Sequence, residues 1–214
     1  MKFGGAALRD GAGVRRAVAI VDGHGGEEPV VVVSALEGVT DLLVQAARAA
    51  ARGEVDVEPV RVRHRGVLRE LGADPERLDR YVRELTLLLD SICARRELRA
   101  VELDHVLSFG ERASARIVAG CFEAEGIPAT PVDSYDLGLT TDSNHGNARP
   151  LPGEHAEAKR SVEEIPGVPV VTGFLAKDRA GNLTTLGRNG SDLSAALLAE
   201  AIGAGAVEFW KGVP

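Results

Sequence analysis

The sequence has few cysteines, no excess of basic residues and no long apolar run. Lys and Arg number 25 against 32 Asp and Glu, for a formal net charge of -7. Since no Lys/Arg cluster alternates with aromatic residues, this composition argues against a nucleic-acid surface. The apolar runs are too short to span a membrane, and the amino terminus lacks a signal-peptide pattern. The sequence therefore predicts a cytoplasmic protein with neither a nucleic-acid nor a membrane partner.

The cysteines and histidines show no spacing typical of a disulfide framework or a metal site. Cys93 and Cys121 lie in helix-like apolar segments without CxxC spacing. Such cysteines are usually buried free thiols in cytosolic proteins. The five histidines show no HxxxH-type spacing. We therefore expect no protein-bound metal, although magnesium carried by a nucleotide would leave no such signature.

The chain is long enough for one large domain or two small ones, and hydrophobic periodicity divides it into alternating strands and helices. Strands are predicted at 1–3, 29–35, 127–132, 169–176 and 206–210. Helices are predicted at 10–21, 41–52, 58–96, 112–125, 156–164 and from about 190. This alternation predicts an α/β fold with a mostly parallel sheet and helices on both faces. Ligands of such sheets bind beyond the carboxyl ends of the strands.

Three local features refine this outline. The segment at about 58–97 is predicted to be an excursion of two or three helices, with Asp74 capping a helix that begins at Pro75. Gly110 is expected to interrupt the helical pattern. The segment 135–151, rich in Thr, Asp, Asn and Gly, is predicted to be a loop or hairpin.

The segment 186–196 is the strongest candidate for a binding site. It follows a predicted strand and opens an Ala-rich helix, so a glycine-flanked loop brings Arg188, Ser191 and Asp192 to a helix N-terminus. Helix N-termini bind anions. The simpler interpretation, which local chemistry alone favours, is that Ser191 or Asp192 caps the helix and Arg188 is a solvated cation.

Five segments resemble, in the same order, the signature segments of aspartate kinases of the amino-acid-kinase fold. They are 2–5, 31–41, 107–111, 172–174 and 186–192. The resemblance implies a three-layer αβα sandwich that transfers the γ-phosphoryl group of ATP, with Mg2+, to the side-chain carboxylate of L-aspartate. The product would be 4-phospho-L-aspartate, at the entry to lysine, threonine and methionine biosynthesis.

The same resemblance implies roles for individual residues. Lys2 would reach the transferring phosphoryl group, and Asp192 would orient Lys2 and the reacting groups. Arg188 would bind the α-carboxylate of aspartate, and Glu111 its α-ammonium group. Further aspartate-pocket positions are Ser34, Thr40, Phe174 and Ser191, and the phosphate or nucleotide positions are Gly4, Gly5 and Lys211. Taken singly, such residues are more often turn, cap, core or solvated surface residues, and Glu111 could cap the start of a helix.

The sequence also departs from the family pattern. Ala6 and Ala7 replace the usual Thr-Ser, and Lys211 and Gly212 replace Thr-Asp after Trp210. The fold is therefore expected to be truncated at both ends, with an incomplete ATP pocket and without a regulatory ACT domain in residues 1–214. Aspartate should then bind better than ATP, and family analogy suggests a homo-oligomer. Two alternatives remain: a non-catalytic chain that binds aspartate or pairs with an intact kinase, and an enzyme of this fold acting on another carboxylate or carbamate.

Overall fold

The computed structural model describes residues 1–24, 28–151, 153 and 157–212. The strands are β1 (Lys2–Phe3), β2 (Val31–Val33), β3 (Ala129–Val132), β4 (Thr140–Thr141), β5 (Val168–Thr172), β6 (Leu175–Asp178), β7 (Leu183–Thr185) and β8 (Phe209–Trp210). The helices are α1 (Gly11–Asp22), α2 (Val39–Arg52), α3 (Glu58–Glu70), α4 (Asp79–Arg95), α5 (Ala100–Ala124), α6 (Ala158–Glu163) and α7 (Gly190–Ile202). The sequence also predicts a loop at 23–28. Part of that loop, the predicted helix start at 156 and His155 fall outside the described residues.

The central sheet has five parallel strands in the order β3-β5-β2-β1-β8. Side chains of successive strand residues point to opposite faces. Val31 and Val33 pack in the core cluster that includes α1 and α5, whereas Val32 packs in the cluster that includes α6 and α7. All three valines are buried because helices cover both faces. The predicted three-layer αβα architecture is confirmed.

Strand β1 has only two residues but lies inside the sheet. Lys2 is paired with Val32 on one side and with Phe209 on the other. The ring of Phe3 stacks on that of Trp210, with centroids 6.2 Å apart. The strand predicted at 1–3 is therefore present, and it is flanked by β2 and β8.

The helical excursion consists of two helices, α3 and α4. Helix α4 begins at Asp79, so the prediction that a helix begins at Pro75 is wrong. Asp74 instead accepts a 2.9 Å hydrogen bond from the amide of Glu76 and stabilises a turn. The sequence also predicts a turn at 72–75, and this segment does lie between the two helices.

Helix α5 runs without a break from Ala100 to Ala124, so the predicted interruption at Gly110 is wrong. A Cβ atom at Gly110 would lie 2.8 Å from the Cβ of Ala35. The glycine thus allows α5 to approach the loop after β2 closely. Glycine costs about 1 kcal/mol relative to alanine inside a helix, and the packing at this position offsets that cost.

The prediction of one strand at 169–176 is also wrong, because the chain turns sharply at Phe174. This residue has a left-handed φ of 67°, and the amide of Leu175 donates a 2.7 Å hydrogen bond to the carbonyl of Gly173. The first part, β5, belongs to the central sheet, whereas β6 pairs with β7 and β4 in a second, three-stranded sheet. This second sheet was not predicted, because its strands are short and lie in polar segments.

The segment 135–151 is mostly irregular, as predicted. It contains the end of a short 3-10 helix, Ser134–Leu137, and strand β4, and Thr141 forms an isolated antiparallel bridge with Pro150. No helix in the described part of the chain is long and apolar enough to cross a membrane. Cys121 is buried and Cys93 half-buried, both as free thiols.

Candidate active site

A cleft of about 510 Å³ opens where β1, β2 and β5 end at the same edge of the central sheet. The carboxyl ends of parallel strands are the usual place for ligands in such folds. Most lining residues come from β1, from the turns after these three strands and from the starts of α2 and α7, and the others come from the middle of α5 and the residues after β8. They are Lys2, Gly4, Gly5, Ala6, Ser34, Ala35, Leu36, Glu37, Gly38, Thr40, Asp41, Glu111, Phe174, Gly187, Asn189, Gly190, Ser191, Asp192 and Lys211.

Two lysines and one aspartate form an ion-paired cluster in this cleft. Lys2 Nζ lies 2.6 Å from Asp192 Oδ1, and Lys211 Nζ lies 2.8 Å from Asp192 Oδ2. The Lys2 side chain is 7% exposed and that of Lys211 is 62% exposed. Burial raises the pKa of Asp192, but the two ammonium groups outweigh this effect and hold the pKa below its ordinary value. The cluster therefore carries a net charge of +1 when all three groups are ionised.

Two helix N-termini open onto the same cleft. The residues that precede α2 and α7, Gly38 and Asn189, have left-handed φ angles of 81° and 57°, and neither caps its helix with a side-chain hydrogen bond. Ser191 and Asp192 lie inside the first turn of α7, so the interpretation of either as the cap residue is wrong. The partial positive charge of these helix ends adds to that of the lysines. The cleft thus suits an anionic ligand.

Glu111 projects from the middle of α5 and is buried, so it does not cap the start of a helix. Its Oε1 atom accepts a 3.1 Å hydrogen bond from the amide of Ala35. Burial raises the pKa of Glu111 to about 7, against the opposing effects of this hydrogen bond and of the charge on Lys2. A buried carboxylate of this kind stabilises a cationic group that binds beside it.

Glycines keep the cleft open by allowing backbone segments to approach closely. A Cβ atom at Gly5 would lie 2.9 Å from the carbonyl oxygen of Ala35. A Cβ atom at Gly190 would lie 2.6 Å from Cδ2 of Phe174. The Gly4 amide donates a 2.9 Å hydrogen bond to the carbonyl of Trp210, which links the turn after β1 to β8. Larger residues at Gly5 and Gly190 would displace the walls of the cleft.

The structure brings all but one of the predicted site residues to this cleft. The exception is Arg188, which is exposed and is not among the lining residues. Sequence reasoning did not select Glu37, Asp41 and Asn189, although all three lie in the segments that carried the resemblance. Their position in those segments is the sequence feature that could have identified them as lining residues. In the described part of the chain, no group of three His, Cys, Asp or Glu side chains could hold a metal ion.

The chain is similar to several known proteins. It is 33% identical to Aspartokinase 1, chloroplastic, of Arabidopsis thaliana, over 100% of this chain and 40% of that protein. It is 30% identical to the lysine-sensitive aspartokinase 3 of Escherichia coli K12, over 100% of this chain and 48% of that protein. The crystal structure of E. coli aspartokinase III with aspartate and ADP matches with a TM-score of 0.86 and 29% identity, over 100% of this chain and 48% of that one.

The chain spans less than half the length of these relatives. The characteristic pattern of the amino acid kinase family matches residues 1–214, the whole chain. The order of the motifs, the parallel sheet and the cleft at its carboxyl edge agree with that match. The chain therefore belongs to the amino acid kinase family.

Proposed function

We propose that this chain is an aspartate kinase unit that transfers the γ-phosphoryl group of Mg-ATP to the side-chain carboxylate of L-aspartate. The observation that carries the proposal is the Lys2, Asp192 and Lys211 cluster beside two helix N-termini. Similarity to aspartokinases, one of them crystallised with aspartate and ADP, supports the choice of substrates. The enzyme is proposed to be cytoplasmic and homo-oligomeric.

The reaction needs positive charge more than it needs a base. The acceptor carboxylate has an ordinary pKa near 4, so it is ionised at neutral pH and no proton has to be removed. One of its oxygens attacks the γ-phosphorus, and the bond to the ADP oxygen breaks with its electron pair leaving on ADP. The residues must therefore hold two anions together and stabilise the charge of the transferring group.

Lys2 is the residue best placed to do so. Its ammonium group is nearly buried, and Asp192 holds it at 2.6 Å. A fixed cation in a poorly solvated site stabilises developing charge more than a mobile surface cation does. Lys211 is proposed to contact the nucleotide phosphates, and Gly4 and Gly5 let the backbone approach them. Magnesium would arrive with the nucleotide and neutralise phosphate charge.

The other predicted residues are proposed to hold aspartate. Glu111 would bind the α-ammonium group as a buried carboxylate. Ser34, Thr40, Phe174 and Ser191 line the same cleft. Arg188, which follows Gly187 at the rim, would turn inward to pair with the α-carboxylate, since a guanidinium binds a carboxylate through two parallel hydrogen bonds.

The test is aspartate-dependent release of ADP by the purified 214-residue chain, with trapping of the acyl phosphate by hydroxylamine as a hydroxamate. Calorimetry with aspartate and with Mg-ATP measures binding separately. ADP release together with the hydroxamate supports the proposal. Aspartate binding without turnover identifies a non-catalytic chain. A response to glutamate or UMP, with none to aspartate, contradicts the substrate assignment.

A further inference from the structure

Asp104 on α5 is a fully buried carboxylate outside the cleft, and it is bonded entirely to other elements. Its Oδ1 atom accepts hydrogen bonds from Thr185 Oγ1 at 2.6 Å and from the Gly146 amide at 3.0 Å. Its Oδ2 atom accepts from His145 Nδ1 at 2.9 Å, from the Gly146 amide at 3.1 Å and from the Thr185 amide at 3.3 Å. Asp104 thus joins three segments: α5, the 142–149 loop and β7.

A gain in stability does not by itself explain why a carboxylate is buried at this position. A buried carboxylate loses several kcal/mol of solvation, and apolar side chains of similar volume often serve as well or better. None of the donors to Asp104 belongs to its own helix. The carboxylate therefore fixes the position of the loop and of β7 relative to α5.

The segment that it fixes supports the turn at the rim of the cleft. The amide of Ala148 donates a 2.9 Å hydrogen bond to the carbonyl of Thr185. The side chain of Asn147 lies against Gly187, where a Cβ atom would come within 2.5 Å of Asn147 Oδ1. Gly187 has a φ of 70° and begins the turn that leads through Arg188 to α7. Contacts therefore run from Asp104 through Thr185 and the 142–149 loop to the 186–190 turn.

We propose that Asp104 is a positioning residue that holds the 186–190 turn in place and so sets the affinity of the cleft for aspartate. The consequence for aspartate rests on the proposed function. Asp104 does not touch the substrate. It acts through Thr185, Gly146 and His145, in the way that outer hydrogen-bond partners orient the groups that bind a ligand.

The first test is Asp104→Asn, which keeps the shape of the side chain but replaces an acceptor oxygen with an NH2 donor that faces other donors. We expect the KM for aspartate to rise by roughly 10- to 100-fold, by analogy with the losses seen when the outer hydrogen-bond partners of metal ligands are changed. The KM for Mg-ATP should change by less than about twofold. Equal losses for both substrates would indicate a general structural defect and would overturn the proposal.

Thr185 offers a matched pair of variants. Thr185→Val removes the hydroxyl that donates to Asp104 at nearly constant volume, whereas Thr185→Ser retains the hydroxyl. Thr185→Val should reproduce the increase in the aspartate KM, and Thr185→Ser should stay close to wild type. If the serine variant is impaired as much as the valine variant, packing and not the hydrogen bond is responsible, and the proposal fails.

A readout that does not depend on activity separates this inference from the proposed function. Hydrogen exchange of the Leu186 and Gly190 amides should accelerate at least tenfold in Asp104→Asn and Thr185→Val, with α1 unchanged. Unchanged exchange at these amides overturns the inference even if the wild type phosphorylates aspartate. Faster exchange there, in a chain whose wild type does not phosphorylate aspartate, supports the positioning role and rejects the proposed function.

Discussion

Lys2 Nζ lies 2.6 Å from Asp192 Oδ1, although almost the whole chain separates the two residues. The pair joins the end of a central strand to the first turn of α7. It fixes a nearly buried ammonium group at the carboxyl edge of the sheet. The proposed chemistry depends on this cation.

Lys2→Met should lower kcat for ADP formation by about 10²- to 10³-fold, the usual loss when one preorganised charge-stabilising group is removed. Lys211→Met is the matched control, because Lys211 pairs with the same carboxylate but is far more exposed. Solvent screens an exposed charge, so its loss should cost less than about tenfold. A coupled assay of ADP release measures both. Equal effects of the two variants would contradict the role assigned to Lys2.

The affinity for aspartate should depend on pH through Glu111. Burial raises the pKa of this carboxyl to about 7. If the ionised form binds the α-ammonium group, the KM for aspartate should fall about tenfold per pH unit as pH rises toward 7 and then level off. Glu111→Gln should have a higher KM that is flat from pH 5.5 to 8.5. A wild-type KM that is also flat would exclude Glu111 as the titrating group.

The same carboxyl should make stability depend on pH. Because its pKa is higher in the folded chain than the ordinary 4.5, the folded state holds more protons between pH 4.5 and about 7. The free energy of unfolding should therefore fall over this range as pH rises, by at most about 3 kcal/mol. Glu111→Gln should lose this component, so its stability relative to wild type should increase from pH 4.5 to 8 in urea titrations. No change in that difference would show that Glu111 ionises normally.

Two helix glycines should respond oppositely to alanine. A Cβ atom at Gly66 in α3 meets nothing within 4 Å, whereas one at Gly110 in α5 lies 2.8 Å from the Cβ of Ala35. Gly66→Ala should stabilise the chain by about 0.5–1 kcal/mol through helix propensity, without affecting ADP release. Gly110→Ala should destabilise it by about 1–3 kcal/mol through overpacking. Thermal unfolding measures both, and stabilisation by Gly110→Ala would show that the contact with Ala35 relaxes easily.

Arg188 is the predicted site residue that lies outside the lining of the cleft. If it turns inward to bind the α-carboxylate of aspartate, Arg188→Ala should weaken aspartate binding by about 10²-fold or more, the loss of a charge-assisted pair. Arg188→Lys should recover only part of the affinity, because an ammonium group lacks the two-pronged geometry of a guanidinium. Calorimetry measures the affinity of each variant for aspartate. Unchanged affinity in Arg188→Ala would remove this residue from the proposed pocket.

The sequence predicts the αβα architecture well because strong local patterns coincide with the sheet. The valines of β2 form a continuous apolar run, and Asp10 begins α1 as a cap that accepts a 2.7 Å hydrogen bond from Gly13. The errors arise where tertiary contacts override local preference. Gly110 is unfavourable in a helix by propensity, yet α5 is continuous there and the glycine leaves room for Ala35. The turn at Phe174 places a bulky residue in the left-handed backbone conformation, which local sequence does not predict.

Some residues of the candidate site can be predicted from the sequence, and others cannot. The five ordered segments are enough to predict that Lys2, Glu111 and Asp192 share one cleft. They do not reveal the buried hydrogen bonds of Asp104 with Thr185 and Gly146, because those partners lie in segments without a recognisable pattern. Such contacts depend on how the second sheet packs against α5, and the strands of that sheet lie largely in polar segments without a strand pattern.

The place of β1 between β2 and β8 has a consequence for the newly made chain. Contacts between residues far apart in sequence form late in folding, because closing a long loop costs entropy before any contact compensates for it. Lys2 is synthesised long before Asp192 and Lys211, so it can pair with Asp192 only after that residue too has been made. The helical region from α2 to α5 is complete well before then. Nascent chains that stop short of α7 should therefore fold in part but lack Asp192 and Lys211, so they should not carry out the proposed phosphoryl transfer.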